Sequence, residues 1–463
     1  MEQELQAINQ QLSQVNTQIN SLYHKDSFFA RVLSPFGSYK KPRKEAVEHQ
    51  LDKWLLFIFL VYVVLLVKFV TFKSLQNSLI FGIYSIMVSI YILSRFLLAY
   101  FYSPVDNADP NYIPTVTFVT PAKDEEDNIG KTLRAILNSN YPKGLFEIIA
   151  INDGSADNTL REMKIVQSVA EQMGIRLRVV NWKKNRGKRD GMAKGISLSQ
   201  SEIVVFIDSD SFVQKDTLKH LVKYFADPSI AAVAGHADVY NKDTNMLTRM
   251  QCVRYFVAFK AYKSAEALFG SVTCCSGCCS AYRRSYLKEI LPKWLNQEFL
   301  GVRCTYGDDR SLTNMLLQNY KAVYAEDAKS STVVPDTWGK FFKQQMRWKK
   351  SWTRESILAA RFMWKKNPLM SLSFYVGMIL PLVAPLIVIR AILWIPLLRG
   401  ILPINYILGL MLMSSLYGVY YYIHKRDSLW FYGIIFAWFY SIILVWQLPW
   451  AIVRLKDSRW GTR

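Results

Sequence analysis

Two blocks of nearly uninterrupted apolar sequence bracket a polar middle, and they decide what this chain can be. Residues 54–72 and 75–102 carry a single charged side chain each, Lys68 and Arg95. Residues 368–398, 401–423 and 429–453 are comparably apolar. Each is long enough to cross a hydrocarbon core of about 30 Å. With no water there to satisfy backbone polar groups, such segments fold as helices. The chain is therefore expected to be an integral membrane protein with a water-soluble domain inserted between its spans.

Charge orients it. The formal net charge is +21. Lys40, Lys41, Arg43 and Lys44 precede the first block, and Lys349, Lys350, Arg361, Lys365 and Lys366 precede the later ones. This placement follows the positive-inside rule and points to membrane lipids, not nucleic acid, as the partner. The first two blocks read as a hairpin with both ends inside. His424-Lys-Arg and the tail with Arg454, Lys456, Arg459 and Arg463 are both basic, so residues 429–453 should not cross between them. Trp430, Trp438, Trp446 and Trp450 suit an interfacial or re-entrant segment. The expectation is four crossings plus interfacial helices, in a multi-pass cell-membrane protein with both termini cytoplasmic. Six cysteines between Cys252 and Cys304 would then be reduced thiols.

The resulting division is a heptad and basic segment at 1–50, a transmembrane hairpin at 51–102, a soluble domain at 103–337, amphipathic interface helices at 338–366, a transmembrane pair at 367–423, and an interfacial segment with a tail at 424–463. Within residues 1–23, Leu5, Ile8, Leu12, Val15, Ile19 and Leu22 recur at alternating spacings of three and four. That is an a/d seam. It serves either a helix lying on the membrane or protein body, or a weak homo-oligomer. If it self-associates, deleting residues 1–23 lowers the particle mass in detergent.

From Thr115 onward, short apolar strands alternate with helices. Strands are expected at 116–120, 147–152, 176–181 and 203–208, and helices at 131–139 and 157–173. This pattern implies a mostly parallel sheet covered on both faces. Ligands in such sheets bind at the carboxyl ends of the strands. Three polar clusters stand there: Thr120 to Glu125, Asn152-Asp-Gly-Ser, and Asp208-Ser-Asp. Two carboxylates one residue apart at a strand end can hold Mg²⁺ or a similar hard cation and, through it, a diphosphate.

Further along, Lys183-Lys-Asn-Arg-Gly-Lys-Arg reads as a basic loop, either solvated or clamping phosphates through Lys188 and Arg189. Gly307-Asp-Asp-Arg offers a second carboxylate pair. Of Asp308 and Asp309, one is expected to be a general base and the other to cap the helix that follows. Gln344-Gln-Met-Arg-Trp sits on a basic amphipathic helix, 338–364, where Trp348 could stack on a sugar ring and Arg347 hold a phosphate. Cys274-Cys-Ser-Gly-Cys-Cys lacks the second ligand pair of a structural zinc site and reads as a small-residue loop lining a pocket.

Taken in order, Thr120–Glu125, Asp153-Gly-Ser, Asp208-Ser-Asp, Gly307-Asp-Asp and Gln344-x-x-Arg-Trp resemble the processive family 2 glycosyltransferases, which include cellulose, chitin and hyaluronan synthases. The run from Phe299 to Asn314, the segment Gln344–Ser351 and the terminal Trp460-Gly-Thr-Arg are most similar to membrane hyaluronan synthases. Type 3 capsule synthases share that ending. The resemblance implies an α/β GT-A-type domain inserted between transmembrane helices, with amphipathic interface helices. It implies inverting, metal-dependent transfer from UDP-sugars, UDP-GlcNAc and UDP-GlcA, to a growing polysaccharide secreted through the protein's own channel. Asp309, beside Asp308, would be the catalytic base. Pro121, Glu125, Asp153, Lys188, Asp208, Gln344, Arg347, Trp460, Thr462 and Arg463 would bind the nucleotide sugar. Asp210 would hold Mg²⁺ or Mn²⁺, and Trp348, Cys274 and Gly277 would line the acceptor. One departure stands out: hyaluronan synthases commonly carry Gly-Pro where this chain has Gly277-Cys278.

Overall fold

A computed structural model describes residues 57–59, 61–66, 79–105, 109 and 111–457. The heptad segment, the basic run before the first apolar block, and Trp460, Thr462 and Arg463 lie outside the described residues.

The soluble domain is built on one eight-stranded sheet, ordered β3-β2-β1-β4-β7-β6-β10-β5. The strands are β1 (Val116–Ala122), β2 (Phe146–Asp153), β3 (Arg176–Trp182), β4 (Ile203–Phe206), β5 (Ser211–Val213), β6 (Ile230–Val239), β7 (Ser280–Arg283) and β10 (Lys321–Thr332). A small hairpin, β8 (Glu298–Phe299) with β9 (Val302–Arg303), stands apart. Pairing is parallel across β3-β2-β1-β4 and between β6 and β10, while β7 runs antiparallel between β4 and β6.

Burial on both faces explains the apolar strands. Along β1, Val116 and Phe118 enter one core and Val119 enters the other; along β4, Ile203 and Val205 alternate with Val204 and Phe206 in the same way. This is the period-two side-chain direction of a strand. The outer core is closed by helices α1 (Ile129–Leu137) and α2 (Thr159–Gln172). Beneath the sheet lies α3 (Lys188–Leu198), whose Gly195 lets the helix approach β1 so closely that a Cβ there would stand 2.2 Å from Val119. The inner core also takes in Phe57, Val64, Phe96, Met413, Leu416 and Tyr420 from the apolar blocks, so one continuous cluster joins the sheet to the candidate membrane helices.

Among the described residues, three helices are long and apolar enough to cross a membrane: Gly82–Tyr100, Pro368–Arg399 and Tyr406–Lys425. The described part of the first expected span, 57–59 and 61–66, is helical. The last apolar block forms two helices, Trp430–Ile442 and Leu444–Val453, bent by 43°. Large apolar side chains such as Leu386, Leu397 and Leu402 remain exposed on these segments, as a lipid-facing surface requires.

Three further helices position the site: α4 (Met246–Val257), α5 (Asp308–Leu317) and α6 (Trp338–Met363). A fourth, α7 (Arg284–Leu295), packs beneath α3 and α5. The expected basic loop at 183–189 ends earlier than anticipated. Gly187 adopts a positive φ of 101° and α3 begins at Lys188, so the loop's last two cations are helical residues.

Candidate active site

Each strand end delivers its polar group to the same rim of the sheet. At the end of β1, Pro121 is buried against α3, and a Cβ on Gly191 would stand 3.0 Å from its ring. Glu125 is buried just beyond, its backbone N–H donating to the Thr159 hydroxyl at 2.7 Å and its carboxylate accepting from Asn128 at 3.3 Å. At the end of β2, the two oxygens of Asp153 accept the backbone N–H groups of Arg186 and Gly187 at 2.6 and 2.9 Å. Asp153 thereby pins the basic loop across the strand ends. Gly154, at φ +66°, lies so close beneath it that a Cβ would meet Asn185 N at 2.6 Å.

The centre of the site is a three-residue cluster from distant parts of the chain. Lys188 donates to Asp208 Oδ1 at 2.5 Å and lies 3.8 Å from Asp309 Oδ1. The other oxygen of Asp309 accepts the Gly277 N–H at 2.9 Å, and the Gly277 carbonyl accepts the Asp208 N–H at 2.8 Å. A Cβ on Gly277 would lie 2.7 and 2.8 Å from the Asp208 oxygens and 2.9 Å from Lys188 Nζ, so a larger residue there would displace this pair. Burial, together with Asp208, pushes the Asp309 carboxyl above its ordinary range, although Lys188 and the Gly277 N–H oppose this. Burial also works against the Lys188 ammonium, but Asp208 and Asp309 outweigh it and hold Lys188 well above its usual value.

Asp210 faces the same cleft. Its Oδ1 lies 3.4 Å from the Thr332 hydroxyl at the end of β10. The thiol of Cys278 is pushed up by burial and by the combined charge of Asp208, Asp210 and Asp309, which places all three carboxylates around it. Cys274 is also raised by burial, and its carbonyl accepts from Lys263 at 2.6 Å. From α6, Arg347 comes within electrostatic range of Asp208 and Asp309; burial lowers its guanidinium and those carboxylates oppose the shift. One residue on, Trp348 lies 6.3 Å, centroid to centroid, from Tyr255, whose phenol in turn feels Asp208 and Asp210. Gln344 lies one turn earlier on the same helix, its Oε1 buried.

The donor set fits a hard divalent cation in part. Asp210 and Asp208 present oxygen ligands, but among the described residues no three His, Cys, Asp or Glu side chains converge to cage an ion. An open pair of carboxylates is the arrangement Mg²⁺ uses when phosphate oxygens and water complete its shell.

Two expectations need correction. Neither acid of Gly307-Asp-Asp caps α5: Gly307 itself is the N-cap, in the left-handed region, and no side chain caps it. Asp308 is not beside Asp309 in the cleft. It is 3 % exposed and accepts from Arg189 Nε at 2.7 Å. Consecutive residues on a helix point about 100° apart, so one carboxylate faces the cleft and the other the interior. The same pair removes Arg189 from phosphate binding, since its other N–H groups go to Trp294 O, Gln297 and Ser311.

The small-residue loop Cys274–Cys279 is expected to line a pocket, but the sequence does not single out Cys278 as its member among the carboxylates. Nor does it single out Thr332 or Tyr255, which carry no motif.

Residues 117–291 match the family described as glycosyl transferase family 2. The chain is 33% identical over 319 residues to a hyaluronan synthase from Streptococcus pyogenes, covering 68% of this chain and 74% of that protein. It is 31% identical over 258 residues to an N-acetylglucosaminyltransferase from Rhizobium leguminosarum bv. viciae, covering 56% and 60%. Among solved structures, a mannosyltransferase from Pyrobaculum calidifontis in complex with GDP-Man and Mn²⁺ superposes with a TM-score of 0.54 at 20% identity, covering 78% of this chain and 99% of that one. That likeness concerns the fold, which is the expected GT-A type.

Proposed function

The chain belongs to glycosyltransferase family 2, close to the hyaluronan synthases, and from that premise we propose that it polymerises hyaluronan from UDP-GlcNAc and UDP-GlcA at the cytoplasmic face of the cell membrane. The observation that carries the reading is the convergence of Asp208, Asp309 and Lys188 within 3.8 Å, with Trp348 linked to the same cleft through Tyr255. Two carboxylates, a lysine and a tryptophan, from four separate segments, are drawn toward one cleft where a donor and an acceptor sugar could be held together.

In the proposed transfer, Asp309 takes the proton from the acceptor hydroxyl, and the oxygen attacks the anomeric carbon opposite the departing UDP, inverting it. An elevated carboxyl pKa suits a base that must later release its proton. Lys188 and Arg347 face the diphosphate and stabilise the charge that builds on it. A divalent ion, Mg²⁺ or Mn²⁺, held by Asp210 and Asp208 would supply further positive charge there. Trp348 frames the acceptor ring, with Cys274 and Gly277 on its other side. Loop residues around Pro121, Glu125 and Asp153 shape the nucleotide side.

The growing chain is proposed to pass from Trp348 into a channel among the membrane helices. Polar groups lie along that route: Arg95 is 3 % exposed beside Tyr91, and Tyr417 meets Tyr262 of the soluble domain, hydroxyl to hydroxyl at 2.6 Å. Four crossings, cytoplasmic termini and weak self-association through residues 1–23 belong to the same proposal.

The test is to incubate purified protein with Mn²⁺ and each UDP-sugar, alone and in pairs. A hyaluronidase-sensitive polymer made only from UDP-GlcNAc with UDP-GlcA is expected. Polymer from UDP-GlcNAc alone would replace this assignment with chitin, and polymer from UDP-GlcA with UDP-Glc would replace it with a capsule polysaccharide.

A further inference from the structure

Behind the tryptophan, two cations are packed side by side without a counter-ion. Arg254, on α4, lays its guanidinium over the Trp348 ring at 5.2 Å and over the Phe436 ring at 5.5 Å. Lys349 is 9 % exposed; its ammonium donates to the Leu444 carbonyl and lies 5.3 Å from the Tyr440 ring. Among the described residues, neither side chain forms an ion pair and the Arg254 guanidinium makes no hydrogen bond. The ionisable groups that face Arg254 are Tyr255 and Tyr440, and those that face Lys349 are Arg254 and Tyr440. Burial and the Arg254 charge push Lys349 down to about 7. Two like charges in an interior of low dielectric repel, and an anion between them relieves both.

Position says which anion. One wall of this spot is Trp348, which adjoins the transfer cleft. The other is the bent pair of apolar helices, Trp430–Ile442 and Leu444–Val453, which carry Phe436, Tyr440 and Leu444. In the proposed synthase, a polymer leaving Trp348 toward the membrane would run along this wall. Held over two rings, the guanidinium spends no N–H on a protein acceptor among the described residues, so its N–H groups are available to a ligand. Those groups form a fork matched to a planar carboxylate.

We propose that Arg254 and Lys349 form a carboxylate-binding subsite that grips a uronic-acid unit of the polymer immediately beyond Trp348. The inference rests on the synthase reading and adds to it a residue that selects the polymer by charge. A neutral polymer of the same thickness would leave the two cations unpaired.

Full-length protein in nanodiscs of neutral lipid tests this, using tryptophan fluorescence to follow binding of a GlcA/GlcNAc tetrasaccharide and of chitotetraose. Wild type is expected to bind the charged tetrasaccharide at least tenfold more tightly. Arg254→Gln abolishes that preference while UDP and chitotetraose binding stay as in wild type, which also reports an intact fold. Arg254→Lys, with the charge but not the fork, falls between. Absence of a preference in wild type, or equal losses for both oligosaccharides in Arg254→Gln, overturns the proposal. So does displacement of the charged tetrasaccharide by phosphatidylglycerol in the nanodisc, which would assign the cations to lipid. The two readings fail separately. If no hyaluronan is made but the charge preference disappears in Arg254→Gln, the subsite stands and the product assignment falls. If hyaluronan is made and Arg254→Gln keeps the preference, the reverse holds.

Discussion

Asp309 owes its chemistry to its surroundings. Its carboxylate is shared between a backbone N–H and the Lys188 ammonium, beside a Gly277 whose Cβ would push against Asp208 and Lys188. Asp309→Asn keeps the shape and one acceptor oxygen for the Gly277 N–H but removes the charge, so it should still bind UDP-sugar and form no polymer. Polymer at the wild-type rate from this variant would remove Asp309 from the base role. The pH dependence follows from the raised carboxyl. A base works only when ionised, so activity must fall as pH drops through the pKa of Asp309. That acid limb should lie above the ordinary aspartate value of about 3.9. A pH–rate profile flat from neutrality down to the unperturbed aspartate range would contradict it.

At the scale of elements, the site is held by a buried polar lattice that joins α3, α5, α6 and α7. Arg189 on α3 binds Asp308 on α5, the Trp294 carbonyl on α7 and Gln297; Gln297 donates to Glu355 on α6 at 3.1 Å; and Glu355 pairs with Arg354 at 2.7 Å. Lys188 and Asp309 are the immediate neighbours of Arg189 and Asp308, so the buried pair helps fix the spacing of the pair proposed to act in catalysis. At its edge, Arg354 donates to the Tyr306 carbonyl at 2.5 Å, and Gly307 lies so near α6 that a Cβ would meet Ser351 Oγ at 1.9 Å. Removing one partner of a fully buried ion pair strands the other charge and costs about 3–5 kcal/mol. Arg189→Met should therefore lower the thermal midpoint sharply, and adding Asp308→Leu should restore much of the loss. Additive destabilisation in the double variant would show that the two residues are not coupled.

For the whole molecule, the end of the chain is tied back to the site. The Tyr306 hydroxyl donates to the Leu455 carbonyl at 3.3 Å and Lys350 donates to the Asp457 carbonyl at 2.9 Å. Both anchors adjoin Gly307-Asp-Asp and the α6 helix that carries Arg347 and Trp348. Truncation after Asp457, which removes Trp460, Thr462 and Arg463, is expected to raise the KM for UDP-sugar roughly tenfold, about 1.4 kcal/mol of lost binding. An unchanged KM would free the tail from any role at the nucleotide.

Periodicity and composition were enough to determine that this chain has apolar helices around an α/β domain, because burial on both faces of a strand and solvation by lipid each leave a local pattern. Motif order was enough to nominate Asp208, Asp309, Lys188 and Trp348. That Asp308 turns inward to pair with Arg189 was not legible, since two adjacent carboxylates look alike until the helix directs one into the interior. Nor could any local pattern reveal Thr332, Tyr255 or the approach of Arg254 to Lys349. Those contacts join residues tens to hundreds of positions apart, and such neighbours are created only when the sheet, the interface helix and the membrane segments close on one another.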